Sequence, residues 1–182
     1  MNMAPFSPPL ILRNPHLQTV LSSSKIRLIN RHTVTEFGQS IILDAGRGVR
    51  LAGVLSLPRH PAKGMVILLH GWEGSVDSTY CIRTADKLFN SGYGVFRLNL
   101  RDHGNSHHLN KGLFYASLLA EVYHSVAQVA RMAADLPAFI VGFSLGGNFA
   151  LRIALRCRKE PIKNLSYIYC ISPVLDPAKA CL

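Results

Sequence analysis

The chain of 182 residues has one tryptophan, four cysteines and half as many acidic residues, 10, as basic ones, 20. Cys81, Cys157, Cys170 and Cys181 form no CxxC pair and share no zinc-type spacing with histidine, so the pattern indicates neither a disulfide framework nor a structural metal. They read as small buried side chains. Long hydrophobic runs are also lacking. A stretch such as Met65–Leu69 is five residues, against the roughly 18 that a membrane span needs, so no transmembrane segment is expected. Met1–Leu12 contains three prolines and no positive leader ahead of its apolar run, which argues against a signal peptide and for a cytoplasmic location. Charge is sparse as well: at 16% charged and 48% hydrophobic, the chain has too much apolar material to stay disordered, and one globular domain is the expectation.

The net charge of +10 raises the question of nucleic acid or an anionic surface. Its distribution weakens the first idea. Residues 1–50 carry +4, 51–100 carry +2, 101–144 carry 0 and 145–182 carry +4, so no basic stripe dominates. Arg152, Arg156, Arg158, Lys159 and Lys163 do cluster, but at the end of an expected helix, where cations suit the C-terminal dipole. No specific nucleic-acid partner is expected.

Hydropathy patterning divides the chain near residue 30, leaving residues 1–30 as an N-terminal extension. Alternation predicts antiparallel strands at His32–Phe37 and Ser40–Leu43, then Val49–Leu55 after the Gly46 and Gly48 turn. From residue 65 the pattern changes. Met65–Leu69 is apolar throughout, as in a strand buried on both faces. A helix follows over Ser78–Asn90, a strand over Gly94–Asn99, a long helix from about Leu113 to Ala134 and a strand over Ala138–Val141. Another helix starts near Leu145 and fades before Pro161, and Leu165–Ile171 is the last apolar strand. This alternation predicts an α/β domain with a mainly parallel sheet and right-handed crossovers.

Two segments at strand ends carry chemistry. Gly142-Phe143-Ser144-Leu145-Gly146 puts Gly-x-Ser-x-Gly between a buried strand and a helix. A serine on so sharp a turn needs glycine at its flanks, and the helix that begins there aims the Leu145 amide at a developing oxyanion. The alternative, a glycine-rich turn with an incidental serine, is less consistent with that strand and helix context. His70-Gly71-Trp72-Glu73-Gly74 leaves an earlier strand at the same end of the sheet, where ligands of open α/β sheets bind. The Trp72 amide is the natural second oxyanion donor. His70 reads as a group bracing this loop in preference to a catalytic base.

Six blocks together carry a family resemblance: Pro15-His16-Leu17-Gln18-Thr19, His70-Gly71-Trp72-Glu73-Gly74-Ser75, Asn99-Leu100-Arg101-Asp102-His103-Gly104, His108-Leu109-Asn110-Lys111-Gly112-Leu113-Phe114, Gly142-Phe143-Ser144-Leu145-Gly146-Gly147-Asn148 and Ile171-Ser172-Pro173-Val174-Leu175-Asp176. In this order they resemble the α/β-hydrolase superfamily and, more narrowly, its YheT-like branch. The resemblance implies a serine hydrolase with carboxylesterase-like chemistry on a small-molecule or lipid-like ester, with Ser144 as nucleophile, Trp72 and Leu145 as oxyanion donors and no cofactor or metal. Acyl transfer and thioester cleavage on the same fold are alternatives.

One element of that chemistry is missing. In such hydrolases the triad runs in the order serine, acid, histidine, yet all eight histidines here precede Ser144. Only Glu160 and Asp176 are acidic residues beyond it, and Asp176 lies in a block where the family's aspartate is non-catalytic. Asp102-His103 invites reading as a dyad, but sequence neighbours normally point apart. The expectation is therefore an incomplete α/β-hydrolase domain over residues 31–182, truncated after about the sixth strand. It would be inactive alone, either a non-catalytic or split-gene remnant or the complement of a C-terminal chain, and its last strand would have an unpaired edge.

Overall fold

Five consecutive apolar residues, Met65–Leu69, form a strand buried on both faces, and everything else is arranged around it. A computed structural model describes residues 7–23 and 32–176. That strand, β3, lies at the centre of a six-stranded mixed sheet ordered β1-β2-β4-β3-β5-β6. It pairs in parallel with β4 (Gly94–Leu98) on one side and β5 (Ala138–Phe143) on the other, and β6 (Leu165–Ile171) adds in parallel beyond β5. A hairpin of β1 (Gly38–Gly46) and β2 (Val49–Ser56) completes the sheet, with β2 antiparallel to β4. Its turn passes through Arg47 and Gly48 at φ 54° and 75°, the left-handed pair that matches strand twist in tight hairpins.

The expected parallel α/β architecture with antiparallel N-terminal strands is the one observed. Helices cover both faces. Among residues 7–31, the described part contains α1 (Pro15–Ser23). The predicted division at residue 30 falls in 24–31, outside the described residues. On one face α3 (Thr79–Asn90) packs Ile82, Ala85 and Phe89 against Val66, Leu68 and Val95. On the other, α4 (Leu119–Met132) and α5 (Leu145–Cys157) bury Val122, Val126, Phe149 and Ile153 against Ile67, Leu69, Phe96 and Ile140. No helix among the described residues is long and apolar enough to cross a membrane.

Two sequence expectations need correction. His32–Phe37 is not a strand but the single turn α2 (Thr33–Glu36) with its flanks, and β1 begins only at Gly38. The spacing of three between Val34 and Phe37 puts both on one helical face, whereas a strand would turn them to opposite faces. Tertiary contacts decided for the helix. The Val34 amide donates to Asp86 Oδ1 at 3.0 Å, its carbonyl accepts from Ser56 Oγ at 2.9 Å, and the Phe37 ring lies 5.3 Å from that of Phe89. The helix expected from Leu113 starts at Leu119, because Phe114 is drawn into an aromatic cluster and the preceding chain stays a loop.

Candidate active site

Each of the four parallel strands runs into a loop at the same end of the sheet, and each of those loops holds one non-glycine residue in the left-handed region. These are Glu73 after β3 (φ 54°), Asp102 after β4 (φ 58°), Ser144 after β5 (φ 51°) and Ser172 after β6 (φ 45°). Such residues cost about 1–3 kcal/mol each and persist where the surroundings over-determine them. Four at one sheet edge mark the place where backbone geometry is under demand.

Ser144 combines φ 51° with ψ −113° at the join of β5 and α5. Its amide donates to the Ile171 carbonyl at 2.9 Å, and its own carbonyl accepts from the Asn148 amide at 3.0 Å and the Val174 amide at 3.3 Å. The turn thus locks β5 to the end of β6. The flanking glycines are required by contact. A Cβ on Gly142 would stand 2.3 Å from the Gly146 carbonyl oxygen, and one on Gly146 would stand 2.3 Å from the Leu69 carbonyl oxygen at the end of β3. Leu145 is the first residue of α5, so its amide has no intrahelical acceptor.

The loop after β3 meets this turn. A Cβ on Gly71 would come within 3.3 Å of the Ser144 Cβ, so the His70–Trp72 backbone lies against the serine. The loop is held from several sides. The Gly71 amide donates to the Tyr80 hydroxyl at 2.9 Å. Val76 is gripped at both ends of its residue: its amide donates to Asn99 Oδ1 at 2.9 Å, and its carbonyl accepts from Arg97 Nη1 at 2.6 Å. His70 is almost wholly buried, at 1% exposure. The Leu100 amide donates to its Nε2 at 3.1 Å, which leaves the proton on Nδ1 to donate to the Gly71 carbonyl at 2.7 Å. Burial holds the imidazole neutral, with its pKa lowered to about 4; the Gly71 hydrogen bond opposes that shift and nearby His103 adds to it. With both nitrogens engaged, His70 braces the loop.

The other candidates separate. Asp102 accepts from His107 Nδ1 at 2.6 Å, whereas His103 Nδ1 donates to the Arg101 carbonyl at 2.7 Å, so the Asp102-His103 neighbours have different partners. Among the described residues, no hydrogen bond joins a histidine to Ser144. Cys81 is buried, and desolvation pushes its thiol up to about 12, which removes it as a competing nucleophile.

Sequence reasoning missed the supporting shell. Arg101 forms a buried ion pair with Glu121 that ties the loop after β4 to α4. Phe114 packs edge-on against Trp72 at 5.9 Å, His103 at 4.9 Å and Phe149 at 6.2 Å, forming an aromatic cover beside the loop after β3. One signal was available: Arg97 is the single charge in an otherwise apolar strand, Gly94-Val95-Phe96-Arg97-Leu98, and such a charge is retained only with partners. The aromatic cover left no such mark, because it joins residues far apart in the chain.

A partly buried serine on a strained strand-to-helix turn, packed against a rigid loop of backbone amides, defines a class of site suited to acyl chemistry on a carbonyl carbon. The chain belongs to the alpha/beta hydrolase fold family, which it matches over residues 64–175, more than half its length. It is 32% identical over 93 residues to a Haemophilus influenzae protein whose description, esterase/lipase, is itself provisional; the match covers 51% of this chain and 30% of that protein. Solved structures share the fold. An α/β serine hydrolase from Xanthomonas campestris has a TM-score of 0.55 at 23% identity, covering 66% of this chain and 57% of its own. The esterase Est22 has a TM-score of 0.65 at 17% identity, covering 90% of this chain and 53% of its own. The chain thus spans under a third of the curated relative and a little over half of these solved chains.

Proposed function

We propose that this chain is the nucleophile-bearing portion of a serine hydrolase of carboxylesterase type. In this reading residues 1–30 form an N-terminal extension and 31–182 an incomplete catalytic domain. The observation that carries it is Ser144 at φ 51° between β5 and α5, with the Gly71 backbone against its Cβ. The motif blocks from Pro15 to Asp176 support placement in the YheT-like branch. Ser144 Oγ would attack the ester carbonyl carbon and lose its proton to a base. The resulting oxyanion would accept hydrogen bonds from the Trp72 and Leu145 amides. Collapse would expel the alcohol, which takes up the proton, and water would then hydrolyse the acyl-serine to acid and free enzyme. No step calls for a cofactor.

The base is the part this chain does not provide. His70 is neutral and engaged at both nitrogens, and no histidine follows Ser144. A serine hydroxyl without a base stays protonated at neutral pH and is a weak nucleophile. We therefore propose negligible ester turnover by residues 1–182 alone, with the acid and histidine furnished by a complementing C-terminal segment. The test is to assay the purified chain on a short-chain chromogenic ester beside its Ser144→Ala variant, and to repeat both after fusion to the C-terminal half of a close relative. Expected are equal, near-background rates for the first pair and Ser144-dependent turnover in the fusion. Full turnover by the short chain that Ser144→Ala abolishes would place the base upstream. A fusion that folds yet stays inactive would instead favour a non-catalytic remnant.

A further inference from the structure

Large apolar side chains left in water call for a reason, and three surround the candidate site. Trp72 is 64% exposed, Leu113 65% and Tyr115 60%. They belong to one surface. Phe114, between Leu113 and Tyr115, is the ring that packs edge-on against Trp72, so the loop after the β4 segment is anchored by its middle aromatic residue while its two neighbours face out. The anchoring is firm. Phe114 also contacts Phe149 and His103, Arg152 Nη1 donates to the Ala116 carbonyl at 2.6 Å, and the Arg152 guanidinium lies 5.3 Å from the centre of the Phe149 ring. A loop so held presents Leu113 and Tyr115 by design of its packing and not by fraying.

Cations border this apolar crown. Lys111 precedes it in the chain, Arg152 lies beneath it, and the Arg50 guanidinium donates to the Leu109 carbonyl at 3.3 Å while its backbone amide donates to Asn110 Oδ1 at 3.0 Å. Of the three acids nearby, Glu121 is paired with Arg101 and Asp102 accepts a hydrogen bond from His107, which leaves Glu73 beside Trp72. We propose that the crown of Trp72, Leu113 and Tyr115 docks on an anionic lipid surface, bringing the mouth of the Ser144 site to esters held in that surface. The residue types fit: Trp and Tyr favour the headgroup zone, leucine enters the acyl boundary, and flanking Lys and Arg are drawn to anionic headgroups. A second copy of the chain is the poorer occupant, since each copy brings a net +10. The proposal rests on the hydrolase reading only for the nature of the cargo; the docking itself does not.

The sequence supplies its own probe, because Trp72 is the one tryptophan in the chain. Tryptophan emission is followed as the chain is titrated with vesicles of phosphatidylcholine containing about one third phosphatidylglycerol, with co-sedimentation in parallel. Expected are a shift to shorter wavelength, co-sedimentation that weakens with added salt, and binding about tenfold weaker or worse in the Leu113→Ser, Tyr115→Ser double variant, both changes being at exposed positions. Ser144→Ala is expected to bind as the parent does, so loss of the ester reaction and loss of docking are separate results. Four outcomes overturn the proposal: vesicle binding without a Trp72 shift, binding unchanged in the double variant, an emission shift that depends on protein concentration without vesicles, which would assign the crown to a second copy, or loss of vesicle binding on fusion to the C-terminal half of a close relative, which would assign it to that segment.

Discussion

His70 shows at the scale of one residue how burial sets both structure and pH response. Its pKa stands near 6.5 in the unfolded chain and at about 4 in the folded one. Between those values the unfolded chain holds a proton that the folded one excludes, so folding carries a penalty there. The His70 contribution is complete above pH 6.5 and is lost as pH falls toward 4, about 3 kcal/mol across the window. Urea unfolding from pH 7 to 4 should therefore show a steeper loss of stability in the parent than in His70→Gln, which lacks the titrating ring. Parallel curves would show that His70 is not held neutral. At this same scale the sequence was legible where a residue's neighbours in the chain define its geometry, as for Ser144 between Gly142 and Gly146. For Arg97 the lone charge in an apolar strand signals a partner without naming it, and the grip of Arg97 and Asn99 on Val76 was not legible because it crosses some twenty positions.

Between elements, the join of β5 and α5 is set by how closely it approaches β3. The missing side chain at Gly146 lets α5 start against the Leu69 and His70 carbonyl oxygens, which a Cβ would meet at 2.3 and 2.5 Å. Those atoms belong to backbone at the end of a buried strand and cannot swing aside. Gly146→Ala should destabilise by about 3 kcal/mol, lowering Tm by roughly 6–12 °C in a thermal melt followed by circular dichroism. A melt within 2 °C of the parent, on the order of half a kcal/mol, would mean that the helix start has room to move. Element type was readable where the pattern was unbroken, as in the wholly apolar β3 or the helical periodicity of α3. It failed at α2, where a four-residue turn offers too little pattern to tell a strand from a helix, and at residues 113–118, where helical spacing was overruled by the docking of Phe114.

For the molecule as a whole, β6 is the conspicuous feature. Among the described residues it is the last strand in the sheet order, it carries no charge, proline or glycine over Leu165–Ile171, and it exposes Tyr167, Tyr169 and Ile171 on the face that α3 packs against farther in, beyond the cover of that helix. The apolar groove beside it, lined in part by Phe139, Val141, Tyr169 and Ile171, has a volume of about 480 Å³. Among the described residues β6 is an edge strand, and an edge without such guards is prone to pair with another chain. Tyr167→Lys with Tyr169→Lys should reduce concentration-dependent association in sedimentation velocity while changing unfolding stability by less than about 1 kcal/mol, as befits exposed positions. Equal association in both chains would locate the self-contact elsewhere.

By itself the sequence determined the alternation of strand and helix from residue 65, the turn that carries Ser144 and the absence of a downstream histidine, because each is written in residues adjacent or regularly spaced along the chain. Only the tertiary structure decided that Gly71 comes to rest against Ser144, that the Leu100 amide closes the second nitrogen of His70, and that Phe114 gathers Trp72 and His103. Those outcomes depend on contacts across the sheet, whose closure no local pattern encodes.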